Sequence, residues 1–393
     1  MLYIHIPFCE KKCAYCDFLS FKSNDEEIEA YINSLNIELI QKAALLKNHS
    51  PKYEISSIFI GGGTPSILNV KYIYKIFDEL NKNFSIMPDA EISIESNPNS
   101  LTYEKALSYM KNGINRISIG LQSANDEELK TLGRIHNYNQ FVNSYDEAIK
   151  AGFQNINIDL IKNIPNQTSA SFKNTLDKVL SLNPSHISAY DLIIEEGTKF
   201  YELYNNNKLY LPSEEEQGKI DEVLYSTLKD NNYIRYEISN YARNEKMCKH
   251  NLGYWTDIPY LGIGISSSSY FENFRYKNSI NIKDYISFWK SYNNQYEDLK
   301  ELLAATSIEN NTKNLSDEEI NQNLMNEYMM LSMRTIYGAR KNYFHKKFGK
   351  TIESIYGKVL KSYSDYIIED DESFHFTDKG FDISNQILSS IIL

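Results

Sequence analysis

Short apolar, β-branched runs recur six times in the first half of the chain, at residues 2–6, 57–60, 91–95, 116–121, 155–161 and 186–192, and they limit the fold more than any other feature. Between them lie amphipathic stretches at 28–46, 71–83, 103–112, 138–151 and 171–182, whose apolar residues fall at helical spacing. Strand and helix alternating at intervals of roughly thirty residues give parallel strands joined by helical crossovers. The predicted fold class is therefore α/β, a partial (β/α)6 barrel. In barrels of this kind the chemistry gathers at the C-terminal ends of the strands.

Polar and conformationally special residues fall on that rim. Cys9, Cys13 and Cys16 follow the first run and Gly61-Gly62-Gly63-Thr64-Pro65 the second. Glu95 ends the third, Gln122 ends the fourth, and Asp159 lies within the fifth. Glycines after a strand permit close backbone approach to a ligand, and Pro65 fixes the exit.

Three of the chain's four cysteines stand within eight residues, interleaved with Glu10, Lys11 and Lys12, so they read as a metal site before they read as core. An iron-sulfur cube usually takes four thiolates, so three would leave one iron open. Three other readings stand beside this one. Cys13-Ala14-Tyr15-Cys16 has the spacing of a redox pair. A structural zinc site would use the three thiolates with His5 or Cys248 as fourth ligand, although His5 falls on the first strand. The third is a set of buried, unligated thiols.

The formal net charge of -11 disfavours a nucleic-acid partner, because phosphate binding is driven by lysine and arginine. No stretch approaches the roughly 20 consecutive apolar residues of a membrane span, and no basic segment with a cleavable apolar stretch precedes Leu2. A thiolate-bound cluster needs a reducing compartment, so the expected location is cytoplasmic.

After about residue 212 the pattern changes, and the expected division is a barrel domain at 1–212 followed by a mainly helical C-terminal domain at 213–393. Helices are expected at 214–230 and 318–336, a polar linker at 308–316, and strand, strand and helix at 366–368, 372–376 and 380–388, as in a small winged module.

Taken in order, Tyr3-Ile4-His5-Ile6-Pro7-Phe8-Cys9, the Cys13 and Cys16 spacing, Gly61 to Pro65, Ile94-Glu95-Ser96-Asn97-Pro98, Gly120-Leu121-Gln122-Ser123, Leu132-Gly133-Arg134 and Ile158-Asp159-Leu160-Ile161 resemble the radical S-adenosylmethionine enzymes. The resemblance spans the barrel half and is narrower toward the branch that holds oxygen-independent coproporphyrinogen III oxidases and heme chaperones. It implies a 4Fe-4S cluster on Cys9, Cys13 and Cys16, whose open iron chelates S-adenosylmethionine. It also implies cofactor contacts from Tyr3, Tyr15, Gly62, Gly63, Thr64, Glu95, Gln122, Arg134 and Asp159. These types suit a zwitterion with a sulfonium and a ribose: carboxylates accept hydrogen bonds, Gln122 both donates and accepts, and Arg134 can grip a carboxylate.

Within that branch, Phe18 stands where the oxidases carry a fourth cysteine, and the first strand begins at Leu2 without their long leading segment. Both departures resemble the heme chaperones, as does the His-Asn-x-x-Tyr-Trp signature from His250 to Trp255. By resemblance the chain binds heme and passes it to apo-hemoproteins of respiration, with no catalytic residue assigned. His250 is then either an iron ligand or a hydrogen-bonded residue that docks the C-terminal domain. Membrane association during delivery and a homodimer stay open. Two enzyme readings remain as alternatives, oxidative decarboxylation of coproporphyrinogen III and radical modification of tRNA. Two features depart from the family pattern: Asn163 replaces an expected glycine, and Ser266 to Ser269 replaces a segment richer in glycine and alanine.

Overall fold

The structure, a computed structural model, describes residues 1–243, 245–308 and 316–391. Several of its strands alternate isoleucine with polar residues, as in Ile92-Ser93-Ile94-Glu95 and Ile156-Asn157-Ile158-Asp159, and this alternation builds the centre of the molecule. In chain order the first half runs β1 (Leu2–Ile6), α1 (Asp25–His49), β2 (Glu54–Gly62), α2 (Val70–Asn83), β3 (Ser85–Ser96), α3 (Tyr103–Lys111), β4 (Arg116–Gln122), α4 (Asp126–Leu132), α5 (Tyr138–Ala151), β5 (Ile156–Lys162), α6 (Ser169–Ser181) and β6 (His186–Asp191). The six strands are parallel neighbours in sequence order.

Register places Ile4, Ile60, Ile94, Ile117 and Ile156 side by side on one face. That face shares a core with Tyr31, Leu35, Phe77, Phe141 and Phe172 from the helices. The opposite face carries Glu95, Ser118, Asn157 and His186 in the same register; the last three are linked in a chain of hydrogen bonds, while Glu95 accepts from Gly62 N. Asn157 Nδ2 donates to Ser118 Oγ at 2.7 Å, and the His186 ring meets Asn157 Oδ1 at 2.6 Å and Tyr236 Oη at 2.7 Å. Buried polar groups persist when they are satisfied in this way.

Helices α7 (Lys199–Asn205) and α8 (Glu214–Asp230) lead into β7 (Ile234–Arg235) and β8 (Asn240–Ala242), which extend the sheet antiparallel beyond β6. After α9 (Lys249–Trp255), β9 (Leu261–Ile263) adds parallel to β1 at the other edge. The nine strands form an open sheet, with no pairing between its two edges among the described residues. The hairpin β10 (Ser268–Phe271) and β11 (Phe274–Lys277) follows, then α10 (Ile282–Ser291) and α11 (Leu299–Thr306).

The β9 segment is fastened by a buried carboxylate. Glu38 pairs with Lys42 at 2.7 Å and accepts from Gly264 N, Asn278 Nδ2 and the Tyr285 hydroxyl, while Lys42 Nζ donates to Gly262 O at 2.8 Å. Residues as late as Leu303 therefore belong to the first core.

A second core of Met329, Phe344, Tyr356, Phe374 and Ile387 holds α12 (Asp317–Ser332), β12 (Ala339–Arg340), α13 (Lys341–Phe348), α14 (Ile352–Ser362), β13 (Ile367–Glu369), β14 (Ser373–Phe376), α15 (Asp378–Asp382) and α16 (Ser384–Ile391). Its sheet runs β12-β14-β13, and the single helix expected at 380–388 is two short ones. Most of the expected linker, 309–315, lies outside the described residues. Among the described residues no helix is long and apolar enough to cross a membrane.

Candidate functional site

The cysteine loop is clamped to the rim by backbone hydrogen bonds from several directions. Cys9 N donates to Phe21 O at 3.0 Å, Gly63 N to Ile6 O and Thr64 N to Phe8 O at 2.8 Å each, and Ala14 N to Leu132 O at 3.0 Å. A side chain at position 63 would place its Cβ 2.8 Å from Phe8 O, so glycine is what lets the β2 loop close on the cysteine loop. Gly62 has φ of 114°, and its N–H donates to Glu95 Oε2 at 3.0 Å.

These contacts surround a cavity of about 370 Å³. Eleven of the residues singled out from sequence line it: Cys9, Cys13, Cys16, Tyr15, Gly62, Gly63, Thr64, Glu95, Gln122, Arg134 and Asp159. Arg134 joins three strand ends, donating from Nη2 to Asn97 Oδ1 and to Gly120 O at 2.7 Å each, with Nη1 3.6 Å from Cys13 Sγ. Asn97 Nδ2 in turn donates to Thr64 Oγ1, which lies 3.4 Å from Cys9 Sγ.

The electrostatics favour a cation. Burial, and then the neighbouring Asp159, push the Glu95 carboxyl up to about 8, against the pull of the Gly62 N–H. Burial also raises Asp159, although Ser118 Oγ and Asn157 Nδ2 donate to it at 2.7 and 2.8 Å. Two carboxyls that disfavour each other's charge accept a positive ligand readily. Gln122 reaches the cavity from a strand irregularity and holds φ of 71°, a left-handed conformation unusual for this residue type.

The donor set discriminates among the metal readings. All four cysteines are free thiols. Cys248 is buried at the N-terminal cap of α9, its Sγ donating to Glu91 Oε1 at 3.3 Å, and His5 is engaged by Tyr3 Oη and Leu19 O, so neither joins the other three. Among the described residues no three His, Cys, Asp or Glu side chains converge on a single metal ion. Three half-buried thiols opening onto one cavity, with a carboxyl pair that favours a cation opposite, suit a cluster and a positively charged ligand better than one closed tetrahedral ion.

Two singled-out residues lie elsewhere. Tyr3 lines a separate cleft of about 490 Å³, which meets the cavity at Asp17 and Phe18. His250 is 0% exposed, with Nδ1 2.9 Å from Ser57 Oγ and Nε2 2.9 Å from Tyr254 Oη, and burial holds its ring down to about 3. The geometry is that of a hydrogen-bonded residue anchoring α9. Sequence reasoning passed over Asn97, Tyr190 and Ile193, which also line the cavity. Asn97 sits two residues past Glu95, and Tyr190 is the penultimate residue of the sixth strand, so rim position alone could have flagged both.

A family model described as the radical SAM superfamily matches residues 3–179. A heme chaperone HemW of Bacillus subtilis (strain 168) is 32% identical over 393 residues, covering 99% of this chain and 98% of the relative. One of Lactococcus lactis subsp. lactis (strain IL1403) is 33% identical over 394 residues, covering 100% and 97%. That of Escherichia coli (strain K12) is 36% identical over 264 residues, covering 67% and 68%. Among solved structures, coproporphyrinogen III oxidase (HemN) from Escherichia coli superposes with a TM-score of 0.80 at 22% identity, covering 99% of this chain and 89% of that one. At that identity the likeness speaks for the fold.

Proposed function

The chain belongs to the HemW heme chaperone family within the radical SAM superfamily, and from that membership we propose that it binds heme and delivers it to apo-hemoproteins of respiration. The observation that carries this reading is similarity to heme chaperones over essentially the whole chain, second core included. We further propose that Cys9, Cys13 and Cys16 hold a 4Fe-4S cluster and that the adjoining cavity takes S-adenosylmethionine. When bound, the two supply one-electron reductive chemistry at the rim.

The chain's own residues orient such a ligand. Glu95 and Asp159 meet positive charge and ribose hydroxyls, Arg134 ties the cysteine loop to the β3 and β4 ends, and Gln122 offers a donor and an acceptor. Free thiols suit a reducing compartment, and we place the protein in the cytoplasm.

Phe18 bears on the choice between carrier and oxidase. Where the oxidases are expected to carry a further cysteine, this chain presents an apolar ring that is 62% exposed. The test is anaerobic incubation of cluster-reconstituted protein with coproporphyrinogen III, S-adenosylmethionine and reductant. We expect no formation of protoporphyrinogen; efficient turnover would replace the chaperone reading with the oxidase one.

A further inference from the structure

The loop between β3 and α3 puts Asn97 on the wall of the cofactor cavity, and its backbone is pinned there. Asn97 N donates to Ser66 Oγ at 3.0 Å, Ser66 Oγ lies 2.6 Å from Ser100 Oγ, and Ser100 Oγ donates back to Asn97 O at 3.1 Å. The side chain therefore leaves from a fixed point. Its amide meets one residue on each side: Oδ1 is 2.7 Å from Arg134 Nη2, and Nδ2 is 2.9 Å from Thr64 Oγ1.

The chemistry of these groups leaves one direction for each bond. A guanidinium can only donate, so the amide atom facing Arg134 is the oxygen, and the one facing Thr64 is the nitrogen. The Thr64 oxygen then accepts from Asn97, and Cys9 Sγ, 3.4 Å away, is the acceptor left for its own proton. A thiolate that ligates iron carries no proton, so in the loaded protein this bond can run only from Thr64 to Cys9. At the other end, both protons of Arg134 Nη2 are used by Asn97 Oδ1 and Gly120 O, which leaves Nη1 to face Cys13 Sγ at 3.6 Å. One amide thus links two donors that end on different cysteines.

We propose that Asn97 is a positioning residue for the iron-sulfur cluster: it aims the Thr64 hydroxyl at Cys9 and the Arg134 guanidinium at Cys13, and so raises the cluster's reduction potential. The assignment rests on the cluster reading above. Reduction adds one negative charge to the cluster, and hydrogen bonds to its sulfurs favour the state that carries more of that charge. Asn97 acts through its two neighbours, as outer residues around a metal site do. The residue type is specific to the task. Aspartate has the same shape but can only accept, so it would draw the Thr64 proton to itself and leave Cys9 Sγ without that donor.

The test is a redox titration of the cluster-reconstituted full chain, followed by electron paramagnetic resonance of the reduced cluster. S-adenosylmethionine is left out, so that contacts to that ligand do not enter. Thr64→Val should shift the reduction equilibrium toward the oxidised cluster by about threefold to tenfold, a fall of up to about 59 mV for a one-electron couple. Thr64→Ser keeps the hydroxyl and should stay at the wild-type potential. Asn97→Asp adds a charge as well as turning the Thr64 proton away, so it is measured in two backgrounds, and its shift should be smaller on Thr64→Val than on wild type. Equal shifts in the two backgrounds would overturn the proposal and leave the cluster reading standing. So would equal potentials for Thr64→Val and Thr64→Ser, a comparison that does not depend on Asn97→Asp assembling a cluster. A wild type with no iron-sulfur signal after reconstitution would overturn the cluster reading itself.

Discussion

At the scale of single residues, the departures from family pattern have a backbone explanation. Asn163, where glycine is expected, has φ of 65°, and Ser266 in the serine run has φ of 57°. Both occupy the left-handed region that glycine enters freely and asparagine tolerates. Asn163 Nδ2 also donates to Asp191 Oδ1 at 2.6 Å. Asn163→Ala should therefore cost about 1–2 kcal/mol in denaturant unfolding, from left-handed strain and the lost bond. Glu95 gives a pH prediction. Its folded-state value near 8 lies above the ordinary 4.5, so across that window the folded chain keeps a proton that the unfolded chain has released. Stability of the ligand-free protein then falls as pH rises from about 4.5 to about 8, and the Glu95→Gln difference should isolate this slope. An identical pH profile for the variant in urea titrations would contradict it.

At the scale of elements, the six barrel strands were legible because alternation of isoleucine with polar residues survives even where both faces are buried, as in Ile92-Ser93-Ile94-Glu95 and Ile156-Asn157-Ile158-Asp159. The helix 138–151 coincides with its expected bounds because Asn137 and Gln140 form a capping box at one end and Gly152 closes the other. Strands of two or three residues such as β7, β8 and β9 carry no period of their own. They exist only through pairing: β9 with β1 and β8 with β6, dozens to hundreds of residues away, and β7 with the β8 that follows it. The seven-residue α9 is similarly fixed from outside, by the Glu91 carboxylate accepting from Lys249 N and His250 N at 3.1 and 3.2 Å. The α1 anchor is a sharper test. Glu38→Ala leaves Lys42 buried without its partner and should cost about 3–5 kcal/mol. The double change Glu38→Leu with Lys42→Met should cost less than the single one, measured by the same unfolding curves.

At the scale of the whole molecule, residues past 212 do not simply follow the barrel. Strands β8 and β9 cover the edges of β6 and β1, and α8, α10 and α11 share the first core. A fragment of residues 1–212 should thus aggregate or fail to show a cooperative transition, since it exposes two unpaired sheet edges. The rim residues were readable from the sequence because strand order sets them side by side. The second cleft was not, because it is assembled from β1, α9 and β11, which no local pattern relates. The most direct measurement is heme transfer. Hemin-loaded, cluster-reconstituted protein is mixed with the apo form of a respiratory hemoprotein, and the acceptor's absorption is followed. We expect the acceptor's holo spectrum to grow as the donor's declines, faster than from the same concentration of free hemin; growth no faster than from free hemin would contradict the carrier function.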